Sequence, residues 1–316
     1  MDKPMAFCIE AVTNVTNDLK QHEKETLLVI GVFNSVLAVP TAAANALVIV
    51  AILTTSSLRT PSYLLLTSLA FSDLAVGLLG QPVFSATIFL YMNRKARMYC
   101  HIRMIAGSLM AVLSIAVLFT MLGISVDRYL AIRLKLKYKT LVTLRRIRFF
   151  LVGVWALTPV LMSLSYFISL GIMSFLGAIT VAICLFVILY CYIMSFRTLK
   201  IYCAQIQTQG NQQPNETSNS SDINVRKYKK LLKTMLLVLA ITGVFCIPLL
   251  GAMAMFTKAV LNRNVAWVCL RISTLNSTLN PVIYFTRMKD LRQACIRILR
   301  KMLRLSESVP SQERGQ

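Results

Sequence analysis

The chain has 316 residues, of which 56% are hydrophobic and 15% are charged, and its formal net charge at pH 7 is +22. Long uncharged runs dominate the sequence, which is typical of a membrane protein with several spans and excludes an ordinary soluble domain. The basic residues flank these runs and fit no zinc-finger or RNA-binding signature, so nucleic acid is excluded as a partner.

Residues 1–25 are polar and of mixed charge, and they predict an extracellular tail. The sequon Asn14-Val15-Thr16 makes Asn14 a glycosylation candidate. The segment lacks the apolar core of a cleavable signal peptide, so the first span is expected to act as the insertion signal.

The uncharged runs predict seven helical spans within 26–286, because about 20 residues at ~1.5 Å each cross the hydrocarbon core. Phe149–Phe196 holds 48 residues without a charge, enough for two spans joined by a tight turn near Gly171. The fold class is therefore an all-α membrane protein, a seven-transmembrane helix bundle, with helices at about 27–54, 62–91, 102–130, 147–169, 173–197, 231–257 and 264–286.

Outside the spans, the Gln-, Asn-, Ser- and Thr-rich stretch 205–222 predicts a flexible third cytoplasmic loop. Residues 287–305 predict a basic amphipathic helix on the anionic cytoplasmic leaflet, followed by a tail at 306–316. Cys295 lies on the apolar face of this helix, where either palmitoylation or an unmodified thiol in lipid is expected. The positive-inside bias places the N-terminus outside and the C-terminus in the cytoplasm.

The third span contains 23 uncharged residues, Met104–Val126, and is followed at once by Asp127-Arg128-Tyr129. Burial of either charge in lipid would cost several kcal/mol, so this acid–arginine pair is expected at the membrane interface. In the last span, Pro281 of Asn280-Pro281-Val282-Ile283-Tyr284 removes a backbone hydrogen bond and allows the helix to distort.

Asp73 is the one acid in the middle of a predicted span, and an ionisable group there predicts a functional role. Two interpretations stand side by side: a hydrogen-bond network that holds helices together, and a sodium site at Asp73. The polar cluster predicted at mid-membrane consists of Asn45, Asp73, Ser114, Asn276, Ser277 and Asn280.

These motifs resemble those of rhodopsin-like (class A) G-protein-coupled receptors over about Asn45 to Leu303. In chain order, each on its own span, they are Asn45, Leu69–Asp73, Asp127–Tyr129, Trp155, Tyr190, Pro248 and Asn280–Tyr284. The short second extracellular loop without cysteine, and Ala182 in place of the family's helix 5 proline, are similar to the melanocortin, lysosphingolipid and cannabinoid receptors. Taken as a whole, the chain resembles the group formed by these receptors and the adenosine receptors.

The resemblance implies a plasma-membrane receptor that is not an enzyme, with an extracellular ligand, a heterotrimeric G protein and membrane lipids as partners. Arg128 would dock the G protein after the sixth span swings outward, with Asp127 restraining it at rest and Tyr190 and Tyr284 meeting it when active. No cofactor is implied beyond a sodium ion. The alternatives are a seven-span transporter, which would show inverted repeats and more buried charges, and a non-coupling decoy receptor.

Several departures from the family pattern bear on regulation. Cys246 replaces a tryptophan, Val117 replaces a serine that would face the sodium site, and Arg226–Lys230 lacks the acid that would lock the sixth span to Arg128. Weak restraint at rest, and hence high basal signalling, is the resulting hypothesis. The usual disulfide is missing as well; the candidates are Cys8, Cys100 and Cys269, with a slight preference for a bond to Cys269.

The ligand stays unassigned. The outer part of the third span has no acid for an amine, and Thr274 stands where opsins carry their lysine, so aminergic ligands and retinal are excluded. Arg271 over an apolar cavity would suit a lipid-like or small organic anion, although extension of Arg271 and Arg103 to the lipid headgroups is favoured. The predicted pocket lining is Val83, Met110, Ser114, Leu249, Leu250, Met253, Leu270, Arg271 and Thr274.

Overall fold

The computed structural model describes residues 2–17, 19–134, 137–164, 170–210 and 263–307, and all regular structure within these ranges is helical. The predicted sixth span, with Pro248, Leu249, Leu250 and Met253, lies outside them. The helices are α1 (Asp2–Asn17), α2 (Gln21–Thr54), α3 (Pro61–Ala75), α4 (Gln81–Met92), α5 (Ala96–Leu134), α6 (Tyr138–Leu141), α7 (Leu144–Leu164), α8 (Leu170–Gly210), α9 (Arg263–Arg287) and α10 (Lys289–Glu307).

Five segments among the described residues are long and apolar enough to cross a membrane: Gln21–Thr54, Pro61–Met92, Ala96–Leu134, Leu144–Leu164 and Phe175–Ile201. They correspond to the first five predicted spans, and α9 lies at the seventh. The second span is two α-helices joined by the π-helical turn Val76–Gly80. The turn shifts the register of α4 relative to α3.

Three boundaries differ from the sequence-based prediction. The N-terminal tail contains the 16-residue helix α1, and α5 extends beyond 102–130 at both ends. Helix α8 continues to Gly210, so residues 205–210, predicted as flexible loop, are helical. Each of these extensions lies in polar or charged sequence, where a count of apolar residues carries no helix signal.

The apolar interior forms two clusters, one at each end of the bundle. The cluster on the Arg128 side combines residues of α2, α3, α5, α7, α8, α9 and α10. The other cluster lies where α1 covers the ends of α2, α4 and α5, and its buried members are Val12, Leu19, Leu27, Ile88, Tyr91, Ala96, Tyr99 and Cys100.

Two contacts set how closely the helices approach. A Cβ on Gly77, in the π-helical turn, would lie 2.8 Å from the backbone nitrogen of Ala42 in α2. Trp155 of α7 donates from Nε1 to Ser68 Oγ at 3.1 Å, and Ser68 Oγ lies 3.3 Å from Thr120 Oγ1 of α5. Gly77 thus allows the close approach to α2, and the Ser68 hydroxyl links α3 to α5 and α7. Small and polar residues at helix contacts are common in membrane proteins.

Helix α10 packs its apolar face against the bundle instead of presenting it wholly to lipid. Cys295 is 0% exposed and belongs to the same cluster as Leu291 and Ala294. Burial raises the pKa of the Cys295 thiol to about 11, so the reactive thiolate is scarce at neutral pH. This arrangement contradicts the lipid-facing position on which palmitoylation at Cys295 was predicted.

Candidate functional site

Asp127 lies near the end of α5, buried, with both carboxylate oxygens satisfied by neutral donors. Ser62 Oγ donates to Oδ2 at 2.7 Å, and the Tyr138 hydroxyl donates to Oδ1 at 2.6 Å. Burial and then the negative charge of Asp127 raise the pKa of Tyr138 to about 12, so its hydroxyl keeps the donated proton throughout the physiological range. Sequence reasoning missed both donors, because neither belongs to the Asp-Arg-Tyr triplet.

Arg128 is held only loosely by its neighbour. Its Nε lies 3.8 Å from Asp127 Oδ2, beyond hydrogen-bonding distance, and has no hydrogen-bond partner among the described residues. Tyr129 points elsewhere: it is half-buried, its hydroxyl accepts from Arg133, and the Arg133 guanidinium lies 5.6 Å above its ring. Arg128 is therefore the group of the triplet that is poised to find another partner.

The tyrosine of α8 that faces Arg128 is Tyr192, not Tyr190. Tyr190 is 49% exposed on the outside of the helix, whereas Tyr192 is 5% exposed and packs in the core cluster. The Tyr192 hydroxyl hydrogen-bonds to the Ser125 side chain, on the side of α8 that is near Arg128. Tyr190 was predicted from its position along the span alone. Successive side chains of a helix are about 100° apart, so residues 190 and 192 point to nearly opposite sides of α8.

The mid-membrane polar cluster is assembled around Asp73, which is 2% exposed. Asn280 Nδ2 donates to Asp73 Oδ2 at 2.8 Å, and Ser277 also hydrogen-bonds to this carboxylate. Asn45 Nδ2 donates to Thr41 O at 2.9 Å and to Ser277 O at 3.1 Å, which joins α2 to α9. Asn276 is buried one residue before Ser277.

The composition of this cluster fits a hard monovalent cation. Asn280 Oδ1 is buried without a hydrogen-bond partner among the described residues, and it lies on the same amide that binds Asp73. A carboxylate beside an unsatisfied amide oxygen offers the oxygen ligands that such cations prefer. The described residues contain no group of three His, Cys, Asp or Glu, so a transition-metal centre finds no support in this part of the chain.

Ser114 was predicted to belong to the mid-membrane polar cluster, but in the structure it does not. Its side chain is exposed, and its hydroxyl donates to Met110 O, one turn back in α5, at 2.7 Å. That exposure is compatible with its second predicted place, in the ligand pocket next to the half-buried Met110. The side chains of Leu270, Arg271 and Thr274 lie outside the described set, although their backbone is part of α9.

Pro281 directly follows Asn280 in α9, Tyr284 lies one turn further on, and both are buried. The Tyr284 side chain contributes to the core cluster, and its hydroxyl has no hydrogen-bond partner among the described residues. A buried hydroxyl left unsatisfied costs about 1–3 kcal/mol, so a conformation that supplies a partner for it is favoured by that amount.

The disulfide joins Cys8 of α1 to Cys100 of α5. The slight preference for a bond to Cys269 was therefore wrong. The Cys8–Cys100 pairing could not be predicted from the sequence. Cys8 reaches the end of α5 because residues 2–17 are helical, and the polar composition of this segment does not indicate a helix.

Three comparisons with known proteins bear on this arrangement. Residues 44–171 match the family of seven-transmembrane receptors of the rhodopsin type. The adenosine receptor A2b of Rattus norvegicus is 26% identical over 312 residues, covering 84% of this chain and 87% of the relative. The adenosine receptor A2b of Gallus gallus is 25% identical over 326 residues, covering 88% and 90%.

The fold agrees with these sequence matches. The structure of squid rhodopsin superimposes with a TM-score of 0.75 at 16% identity, covering 89% of this chain and 87% of that one. The chain is thus a seven-transmembrane helix bundle, and it belongs to the rhodopsin-like (class A) family of G-protein-coupled receptors.

Proposed function

We propose that this receptor transmits the binding of an extracellular ligand to a heterotrimeric G protein through Arg128, by an outward swing of the sixth span. The N-terminus with α1 faces the outside in this proposal, and the Arg128 end faces the cytoplasm of a plasma-membrane receptor. The positive-inside bias of the sequence supports this orientation. The ligand is neither an amine nor retinal, and a lipid-like or small organic molecule suits the apolar lining around Met110.

The observation that carries the proposal is the loose hold on Arg128. The two oxygens of Asp127 are occupied by Ser62 and Tyr138, and Arg128 Nε lies 3.8 Å from the carboxylate. An arginine so held can leave for a new partner without breaking a short charged hydrogen bond. The same observation supports high basal signalling, because the Asp127–Arg128 pair opposes the active position only weakly.

Substitution of Arg128 by alanine is expected to abolish guanine-nucleotide exchange on G proteins by the receptor in nanodiscs without added ligand. The guanidinium is the group that docks the G protein, and alanine cannot replace it. The measurement is the exchange rate over a panel of purified G proteins, wild type beside Arg128→Ala. Arg97→Ala, an exposed arginine at the opposite end of α5, is the matched control and should keep the wild-type rate.

Exchange by the wild type that Arg128→Ala loses would establish coupling and identify the G protein. Equal exchange by both proteins would contradict the role of Arg128. Absence of exchange from the wild type, with and without candidate lipids and small anions, would favour a non-coupling receptor.

The two tyrosines of α8 provide a matched pair. We expect Tyr192→Phe to raise ligand-free exchange about three- to tenfold, since it removes a hydrogen bond to Ser125 that the resting conformation makes and that contributes about 1 kcal/mol. Tyr190→Phe should leave the rate unchanged, because that hydroxyl lies on the outer face. The same nucleotide-exchange assay decides the matter, and the reverse ranking of the two variants would restore Tyr190 as the switch residue.

A further inference from the structure

Helix α1 is built into the bundle and is not a loose tail. Val12 and Thr16 are buried on its inner face, and Met5, Ile9 and Val15 pack against the apolar cluster that includes Ile88, Tyr91 and Tyr99. The Cys8–Cys100 disulfide adds a covalent bond between α1 and α5 in the middle of this contact. The helix thus covers the ends of α4 and α5. The predicted short second extracellular loop has no cysteine, so it cannot form the family's usual disulfide at this place.

The side chains next to the bridge extend the contact into α5. The rings of Tyr91 and Tyr99 lie 5.5 Å apart. Arg103 Nη1 donates to the Tyr99 hydroxyl at 3.2 Å, and the Arg103 guanidinium lies 5.8 Å from the centre of the same ring. Cys100, Tyr99 and Arg103 are all part of α5, the same continuous helix that carries Arg128 at its other end.

The two sulfur atoms differ in access. Cys100 is 0% exposed beneath α1, whereas Cys8 is partly exposed. A dithiol outside the cell can therefore attack the sulfur of Cys8. Its thiolate forms a mixed disulfide with Cys8, and Cys100 leaves as a thiolate that takes up a proton. The second thiol of the reductant then displaces Cys8, which leaves two protein thiols and an oxidised, disulfide-bonded reductant.

We propose that α1 is a disulfide-held cap that stabilises the resting arrangement of α5, and that an extracellular dithiol releases it and raises G-protein signalling. In the conformation with α1 docked, Arg128 Nε lies 3.8 Å from the Asp127 carboxylate, which is the pairing expected at rest. A contact made in one conformation stabilises that conformation, so its loss shifts the population toward the other. This inference rests on the proposed function, since it regulates the same exchange reaction.

The test uses full-length receptor in nanodiscs, reduced with tris(2-carboxyethyl)phosphine and then alkylated with N-ethylmaleimide. Reduction should add two maleimide adducts by intact mass, at Cys8 and at Cys100, because Cys100 becomes reachable only when α1 leaves. Ligand-free nucleotide exchange should rise about fivefold or more, the usual lower bound of an allosteric coupling. Cys8→Ala should show the raised rate without reductant and no further rise with it.

Two results would overturn the cap. A single added adduct after full reduction would mean that α1 stays docked without the bond. Two added adducts with an unchanged or lower exchange rate would mean that the docked helix does not restrain signalling. Should Cys8→Ala not fold, reduction of the folded wild type still decides between these outcomes. If no Arg128-dependent exchange exists at all, the proposed function fails, and the adduct count alone still reports whether α1 is released.

Discussion

Replacement of Gly77 by alanine should lower the free energy of unfolding by about 1–3 kcal/mol, the usual cost of forcing an extra methyl group into a packed interior. The new Cβ would lie 2.8 Å from the Ala42 backbone nitrogen and 3.2 Å from the Ala42 Cβ. Backbone cannot rotate aside as a side chain does, so α2 and the π-helical turn must separate. The expected result is a clear fall in the thermal unfolding midpoint of purified receptor.

Other glycines of the bundle serve as controls, because the space around each of them differs. Alanine at Gly107 or Gly153 meets no atom within 4 Å and should leave the midpoint unchanged or raise it, since alanine is the better helix former by about 0.5–1 kcal/mol. Alanine at Gly80 meets the Met110 sulfur at 2.7 Å, the far end of a flexible side chain that can move. A Gly77→Ala midpoint equal to that of Gly107→Ala would show that α2 yields freely at this crossing.

Substitution of Asp73 by asparagine should abolish the response of the receptor to sodium. In the wild type we expect sodium chloride, relative to choline chloride at equal ionic strength, to raise the unfolding midpoint and to lower ligand-free nucleotide exchange. Among the described residues, the buried carboxylate is approached by the neutral donors Asn280 and Ser277, and a nearby cation would offset the cost of burying its charge. Asparagine keeps the shape of the side chain and removes the charge that attracts the ion.

The matched control is Asp290→Asn, an exposed acid at the start of α10, which should keep the full sodium response. Persistence of the response in Asp73→Asn would mean that the cluster is a hydrogen-bond network and that sodium acts elsewhere. Loss of the response in both variants would point to a general electrostatic effect.

The membrane spans and the polar residues within them could be predicted from the sequence because the bilayer imposes a simple rule on both. A run of apolar residues of the right length must be a helix, and a carboxyl group within it must find polar partners. Asp73 and Asn280 are separated by 207 positions, yet they meet at 2.8 Å, as expected from two polar groups at one depth.

The rest depends on the rotation of helices and on contacts outside the bilayer, which apolar length does not encode. Tyr190 and Tyr192 are both compatible with the motif, and only the orientation of α8 separates them. Cys295 has an apolar neighbourhood in either case, but whether that neighbourhood is lipid or protein depends on how α10 docks. The fold of residues 2–17 was missed because its apolar face is completed by partners from α2, α4 and α5.

The burial of Thr16 constrains the order of events in biosynthesis. Thr16 is the third residue of the sequon at Asn14; it is 1% exposed, and its hydroxyl donates to Thr13 O at 3.2 Å. A glycosylating enzyme must read that hydroxyl together with the exposed Asn14, which it can do only while the segment is still undocked. Sugar attachment at Asn14 would therefore have to precede closure of the Cys8–Cys100 bond, so a nascent chain that oxidises early would leave the endoplasmic reticulum without its glycan.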